Sequence, residues 1–151
     1  MKPALLLLLS LTPLCAGCVV GTVLSAEKAA PSGSVDLKSP SLGDRTLKPT
    51  ACESGEYQFF FGADFLDSQG VTTRLIVDPS GLASLRFFQA AHPLDPGVLF
   101  RRQDCGRFEL SLDRNAWQFN DIYDLHVSLD FECHAASGES ATGHLAADHC
   151  H

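Results

Sequence analysis

Residues 125–133 read Leu-His-Val-Ser-Leu-Asp-Phe-Glu-Cys, apolar at every odd position and polar at every even one. Only an extended strand points successive side chains to opposite faces, so this run predicts a strand with one face in a core and one in water. Such a strand needs neighbours of the same kind. Phe108, Leu110 and Leu112 alternate with Arg107, Glu109 and Ser111 and supply one. Asp78-Pro79-Ser80-Gly81 supplies a hairpin loop, because Pro presets φ for a turn and Gly accepts the left-handed conformation. With Asp78 facing Leu82, Val77 faces Ala83, Leu75 faces Leu85 and Thr73 faces Phe87, which keeps the apolar residues on one face. Further strands are expected over 57–61, 98–102 and 142–147, with Ser137-Gly138 turning into the last. Amphipathic helical periods are missing; a short helix over 82–91 is the one alternative. The fold expected is all-β, a small antiparallel sandwich or barrel-like domain with two disulfides.

The core is located by the large side chains. All thirteen aromatic residues lie between Tyr57 and Phe131. The stretch 26–50 has none and is rich in Ala, Ser, Pro and Gly, so it reads as a flexible tether. An N-terminal strand there would rest on the scattered Val35, Leu37, Leu42 and Leu47. This divides the chain into 1–17, 18–51 and a β domain at 52–151. The whole chain carries a net charge of −7, and 52–151 has no lysine. Such a surface excludes a nucleic-acid partner, which requires a basic face.

The first residues form an address. Lys2 is followed by an uncharged apolar run from Ala4 to Leu14, then by Cys15-Ala16-Gly17-Cys18. This resembles the signal peptide of bacterial lipoproteins, in which two small residues precede the cysteine that is lipidated. Ala16 and Gly17 match the small positions and Cys18 the acceptor, while Cys15 stands where that family usually has leucine. The resemblance covers residues 1–18 only. It implies cleavage before Cys18, acyl chains on Cys18, and a membrane partner through that anchor. Val19, rather than an aspartate, follows the cysteine, which implies an outer-membrane lipoprotein facing the periplasm or the surface. An uncut span over 4–24 and ordinary cleavage near Ala26 are the rivals. All three place the domain outside the cytoplasm.

Setting Cys15 and Cys18 aside leaves Cys52, Cys105, Cys133 and Cys150, an even number suited to an oxidising compartment. Three pairings are possible. If 107–112 pairs with 125–132, and 125–132 with 140–147, then Cys105 and Cys133 share one end of the sheet and Cys150 lies at the other. That favours Cys105–Cys133 and Cys52–Cys150, with Gly106 in a bulge to correct the side-chain parity.

Chemistry is sparsely marked. Five of the six histidines lie at 126–151, and His144, His149 and His151 are candidate zinc or copper ligands, though no zinc-site spacing occurs. Carboxylates gather at Asp64 and Asp67 and at Asp121, Asp124 and Asp130, a weak calcium pattern without the EF-hand spacing. Neither a nucleophile motif nor a phosphate-binding loop is present. No enzymatic activity and no cofactor are therefore expected, a small secreted hydrolase with dispersed carboxylates being the rival. In Phe59-Phe60-Phe61 and Phe87-Phe88, one residue of each set must point away from a one-sided core. Phe60 and Phe88 are the candidates, either covered by a second layer or exposed as a partner patch bordered by Arg101, Arg102 and Arg86. The function expected is a lipid-anchored, non-enzymatic interaction or structural module of the cell envelope, with an envelope protein as partner. A periplasmic metal-binding protein is the alternative.

Overall fold

The computed structural model describes residues 30–151. Ten strands follow one another: β1 (Ser32–Lys38), β2 (Arg45–Leu47), β3 (Pro49–Ser54), β4 (Gly62–Asp67), β5 (Val71–Val77), β6 (Ala83–Gln89), β7 (Val98–Arg101), β8 (Cys105–Phe119), β9 (Ile122–His134) and β10 (Ser140–Cys150). They make two antiparallel five-stranded sheets, ordered β2-β1-β10-β9-β8 and β3-β4-β5-β6-β7. The sheets stay open, so the architecture is a sandwich.

The alternation in β9 sets the first sheet. Leu125, Val127, Leu129, Phe131 and Cys133 are all buried, with Phe108 of β8 and Leu145 of β10 beside them. In the second sheet the hairpin at 78–81 holds the expected register, Thr73 opposite Phe87, Leu75 opposite Leu85 and Val77 opposite Ala83. Residues 83–89 are a strand and not a helix, because Ala83, Leu85 and Phe87 share the inner face. The register of β8 shifts between Cys105 and Arg107, placing the bulge at Gly106. Cys105–Cys133 ties β8 to β9, and Cys52–Cys150 ties the second sheet to the first. Bridges closing such loops typically contribute about 2–4 kcal/mol.

The tether expected over 18–51 is corrected over its described part. Residues 32–51 are β1, β2 and the start of β3, and the domain begins at β1 rather than at Cys52. Val35, Leu37, Leu42 and Leu47 are all buried. β1 lies along β10, with Val35 opposite Gly143 and Leu37 opposite Ala141. Small residues on β10 leave room for the aliphatic side chains of β1, so this segment joins the core without an aromatic of its own. Burying each such side chain stabilises by roughly 1.5–3 kcal/mol. Gly33 adopts φ 105°, and a Cβ there would stand 2.0 Å from the His144 carbonyl oxygen. Pro49 is the first residue of β3, an edge strand, where a missing N–H costs no ladder bond.

A second correction concerns 57–61. Gly55–Gln58 is a 3-10 turn capped by the Ser54 side chain, and Phe59 follows in the left-handed conformation at φ 63°. That turn destroys strand alternation, so the three phenylalanines point in three directions. Cys18 and the apolar run before it lie outside the described residues.

Candidate functional site

β8 and β9 run on past the end of β10, whose last pairing is Cys150 opposite Leu125. Beyond that level they form a two-stranded ribbon closed by Asn120 and Asp121, both with positive φ (50° and 64°). Two left-handed residues make the primed turn whose twist matches a hairpin, and Asn and Asp tolerate it best. The ribbon is held to the 3-10 turn by Glu56. Its Oε1 accepts Arg114 Nε at 2.9 Å and Nη2 at 2.6 Å, and its Oε2 accepts the Tyr123 N–H at 2.9 Å. The Arg114 guanidinium also lies over the rings of Phe61 and Tyr123, at 5.2 and 4.8 Å.

This end of the molecule carries an aromatic surface. Trp117 and Phe119 lie nearly parallel, with ring centroids 6.3 Å apart, and His151 meets both edge-on. Tyr57 joins from the 3-10 turn, its hydroxyl 3.3 Å from His151 Nε2. Trp117 is 56% exposed, Phe119 52%, Tyr57 49% and Phe59 98%. Scattered apolar side chains are ordinary on a surface, but Tyr57, Trp117 and Phe119 gather around His151 as one exposed aromatic group, while Phe59 borders the neighbouring groove with Arg114, Asp121 and Tyr123. Phe59 is the sharpest case. A bulky residue in the left-handed region is strained, and its exposed ring recovers nothing by packing. β1 begins at this same end of the first sheet, because Ser32 pairs with Ala146 while β10 runs on toward Cys150.

The patch expected around Phe60 and Phe88 is internal to the second sheet's outer face. Phe88 is buried, so of the two readings the covered one holds there and the exposed patch does not, and Phe60 is half-buried. The Arg74 guanidinium lies between their rings, 4.7 Å from Phe60 and 5.0 Å from Phe88, and Arg86 covers the other side of Phe88 at 4.5 Å. Asp64, 3% exposed, accepts Arg74 Nε at 2.8 Å and Nη2 at 2.7 Å, while Gln58 bonds both partners. Arg86 donates to the carbonyls of Pro93, Asp95 and Pro96, fastening the 90–97 loop over the sheet. This column is a structural seal. Arg101 and Arg102 lie elsewhere, with Asp78, Leu82 and Leu99 on an open groove of about 520 Å³.

The histidines disperse. His144 Nδ1 pairs with Asp130 at 3.0 Å, His149 Nδ1 with Asp124 at 2.6 Å, and His151 belongs to the aromatic group. Among the described residues, no three His, Cys, Asp or Glu side chains gather closely enough to hold a metal ion. The structure therefore does not assemble His144, His149 and His151 into one site. The expected carboxylate clusters are likewise engaged within the fold. Asp64 is held by Arg74, and Asp67 accepts the N–H groups of Gln69 and Val71. Asp124, buried beneath His149, also accepts from Asn115. Asp124 with His149 has the form of the orienting pair of a hydrolytic triad, but no hydroxyl is hydrogen-bonded to that imidazole among the described residues.

Sequence reasoning chose Phe60 where Phe59 is exposed, and passed over Tyr57, Trp117 and Phe119. The available signal was Asn120-Asp121, a two-residue hairpin loop flanked by aromatics. Comparison with family models, curated proteins and solved structures finds no match to this chain.

Proposed function

We propose that this chain is a non-enzymatic, lipid-anchored module of the cell envelope that binds a protein partner through the aromatic end of its β8–β9 ribbon. The observation that carries the reading is the exposed group Tyr57, Trp117 and Phe119 around His151, with Phe59 almost fully exposed beside the adjoining groove that Arg114 and Tyr123 line. Tyr, Trp and Phe are the residues enriched where proteins meet. Two disulfides suit an oxidising compartment, and the signal-like residues 1–18 with Cys18 as acyl acceptor supply the route there. Thirteen residues separate Cys18 from Ser32. Fully extended they reach about 45 Å, so the anchored domain works near the bilayer. Its aromatic end, where β1 begins, then faces that bilayer, and the partner is a protein resident there.

The test places a photo-crosslinking amino acid at Phe59 in the full chain and irradiates whole cells. Crosslinking to one envelope protein is expected, and it should disappear when Trp117 and Phe119 are replaced by Ser. Crosslinking to lipid alone, or to nothing, overturns the reading. Labelled fatty acid retained by the chain and lost in Cys18→Ala checks the anchor separately.

A further inference from the structure

β8 ends the first sheet, so one of its sides has no strand beside it. It is fifteen residues long, and its regular part, 107–114, lies between two register irregularities. No turn or loop backbone among the described residues bonds to 106–114. An edge this long is a template for another strand, and proteins ordinarily block such edges with charge. The charges here do more than block. We propose that two copies of this chain pair β8 against β8 in antiparallel fashion, joining their first sheets into one ten-stranded sheet about a two-fold axis at Leu110.

The register follows from the side chains. A two-fold axis perpendicular to the sheet keeps both inner faces together only if facing residue numbers sum to an even value. With the axis at Leu110, Arg107 faces the second copy's Asp113, Phe108 faces Leu112, Glu109 faces Ser111, and Leu110 faces itself. Both charge pairs are then opposite in sign, and the inner row is wholly apolar. With the axis at Ser111, Glu109 would face Asp113, and with the axis at Glu109, that carboxylate would face its own copy. Like charges directly opposite are destabilising, so only the Leu110 axis is free of conflict among these three.

The monomer leaves these groups ready. Leu110 and Leu112 pack against the core yet remain partly exposed at the edge. Asp113 has no ion pair among the described residues, and Arg107 has only a 3.9 Å approach to Asp130, both half-exposed. Paired β8 strands would convert the open backbone groups into ladder hydrogen bonds and enclose the two leucines.

The test uses the full chain in mild detergent, with the unaltered sequence as the control for Cys15 and Cys18. Leu110→Cys is expected to give a covalent dimer on a non-reducing gel, whereas Glu109→Cys, offset from its own copy by two residues, is not. By sedimentation, Arg107→Asp and Asp113→Arg should each weaken the dimer about tenfold, because each removes two attractive pairs and creates two repulsive ones. The double exchange Arg107→Asp with Asp113→Arg should restore it to within about threefold. An unaltered chain that stays monomeric at every concentration overturns the proposal. So does equal crosslinking at 109 and 110, or a double exchange no better than the single changes.

Discussion

Arg114 reaches Glu56 across 58 positions of sequence, giving both its Nε and Nη2 hydrogens to one carboxylate oxygen. The other oxygen takes the Tyr123 N–H, so one side chain fastens both strands of the ribbon to the 3-10 turn. Replacing Glu56 by Ala removes the partner of a half-exposed guanidinium and leaves a backbone donor without its acceptor. Arg114 is half-exposed, so the loss should be about 1–2 kcal/mol rather than that of a buried pair. Amide hydrogen exchange should show faster opening of 115–123 than of the Leu125–Phe131 core. Uniform acceleration across β9 would contradict the local role.

Asp64 and Arg74 behave differently because both are nearly closed to solvent, with side-chain exposures of 5% and 14%. Asp64→Ala leaves a cation held between two phenylalanine rings with no counter-charge, and Arg74→Ala leaves the carboxylate alone. Each should cost about 3–5 kcal/mol in denaturant unfolding. The pair Asp64→Leu with Arg74→Met should recover much of that loss, since removing both charges removes the burial penalty. Strictly additive losses would show that the two side chains act independently.

The contrast between these pairs explains what was legible. Strand, hairpin and bulge are local: alternation at 125–133, Asp78-Pro79-Ser80-Gly81 and the parity of Cys105 with Cys133 each lie within one stretch or one pairing. The sandwich and both disulfides followed from them. β1 was hidden because its inward residues, Val35 and Leu37, are too few to announce a period and acquire their meaning only beside Gly143 and Ala141. The 57–61 segment misled for the opposite reason, since three phenylalanines suggest a strand while one left-handed residue re-aims them all. The aromatic end unites residues 57–59, 117–119 and 151, and no spacing rule links positions so far apart.

Asp78 gives the hairpin a pH dependence. Its carboxyl is held below the ordinary carboxylate range, first by the Ser80 hydroxyl and next by the Leu82 N–H, with further help from the backbone at 80 and 81. A depressed folded-state value means the ionised form favours folding. That contribution is complete above the ordinary carboxylate range and is lost as pH falls through the lowered value. Asp78→Ala should therefore be less stable than the unaltered chain at neutral pH, and the difference should shrink in acid. Urea midpoints measured across that span decide it; a gap independent of pH would trace the effect to the turn's shape rather than its charge.

Phe59 separates folding from recognition. Its left-handed backbone costs a non-glycine residue roughly 1–2 kcal/mol, while glycine pays only an added entropy loss of about 0.5–1 kcal/mol on ordering. Since the ring is 98% exposed, Phe59→Gly forfeits almost no packing and should leave stability unchanged or raise it by up to about 1 kcal/mol. The same change removes the most prominent aromatic of the proposed contact surface and should weaken partner capture by at least about tenfold. Trp117, the single tryptophan, reports from within that surface, so its fluorescence follows binding in both forms. A stabilised Phe59→Gly that still binds normally would leave the strained residue without a function. A destabilised one would mean the ring packs in a way its exposure denies.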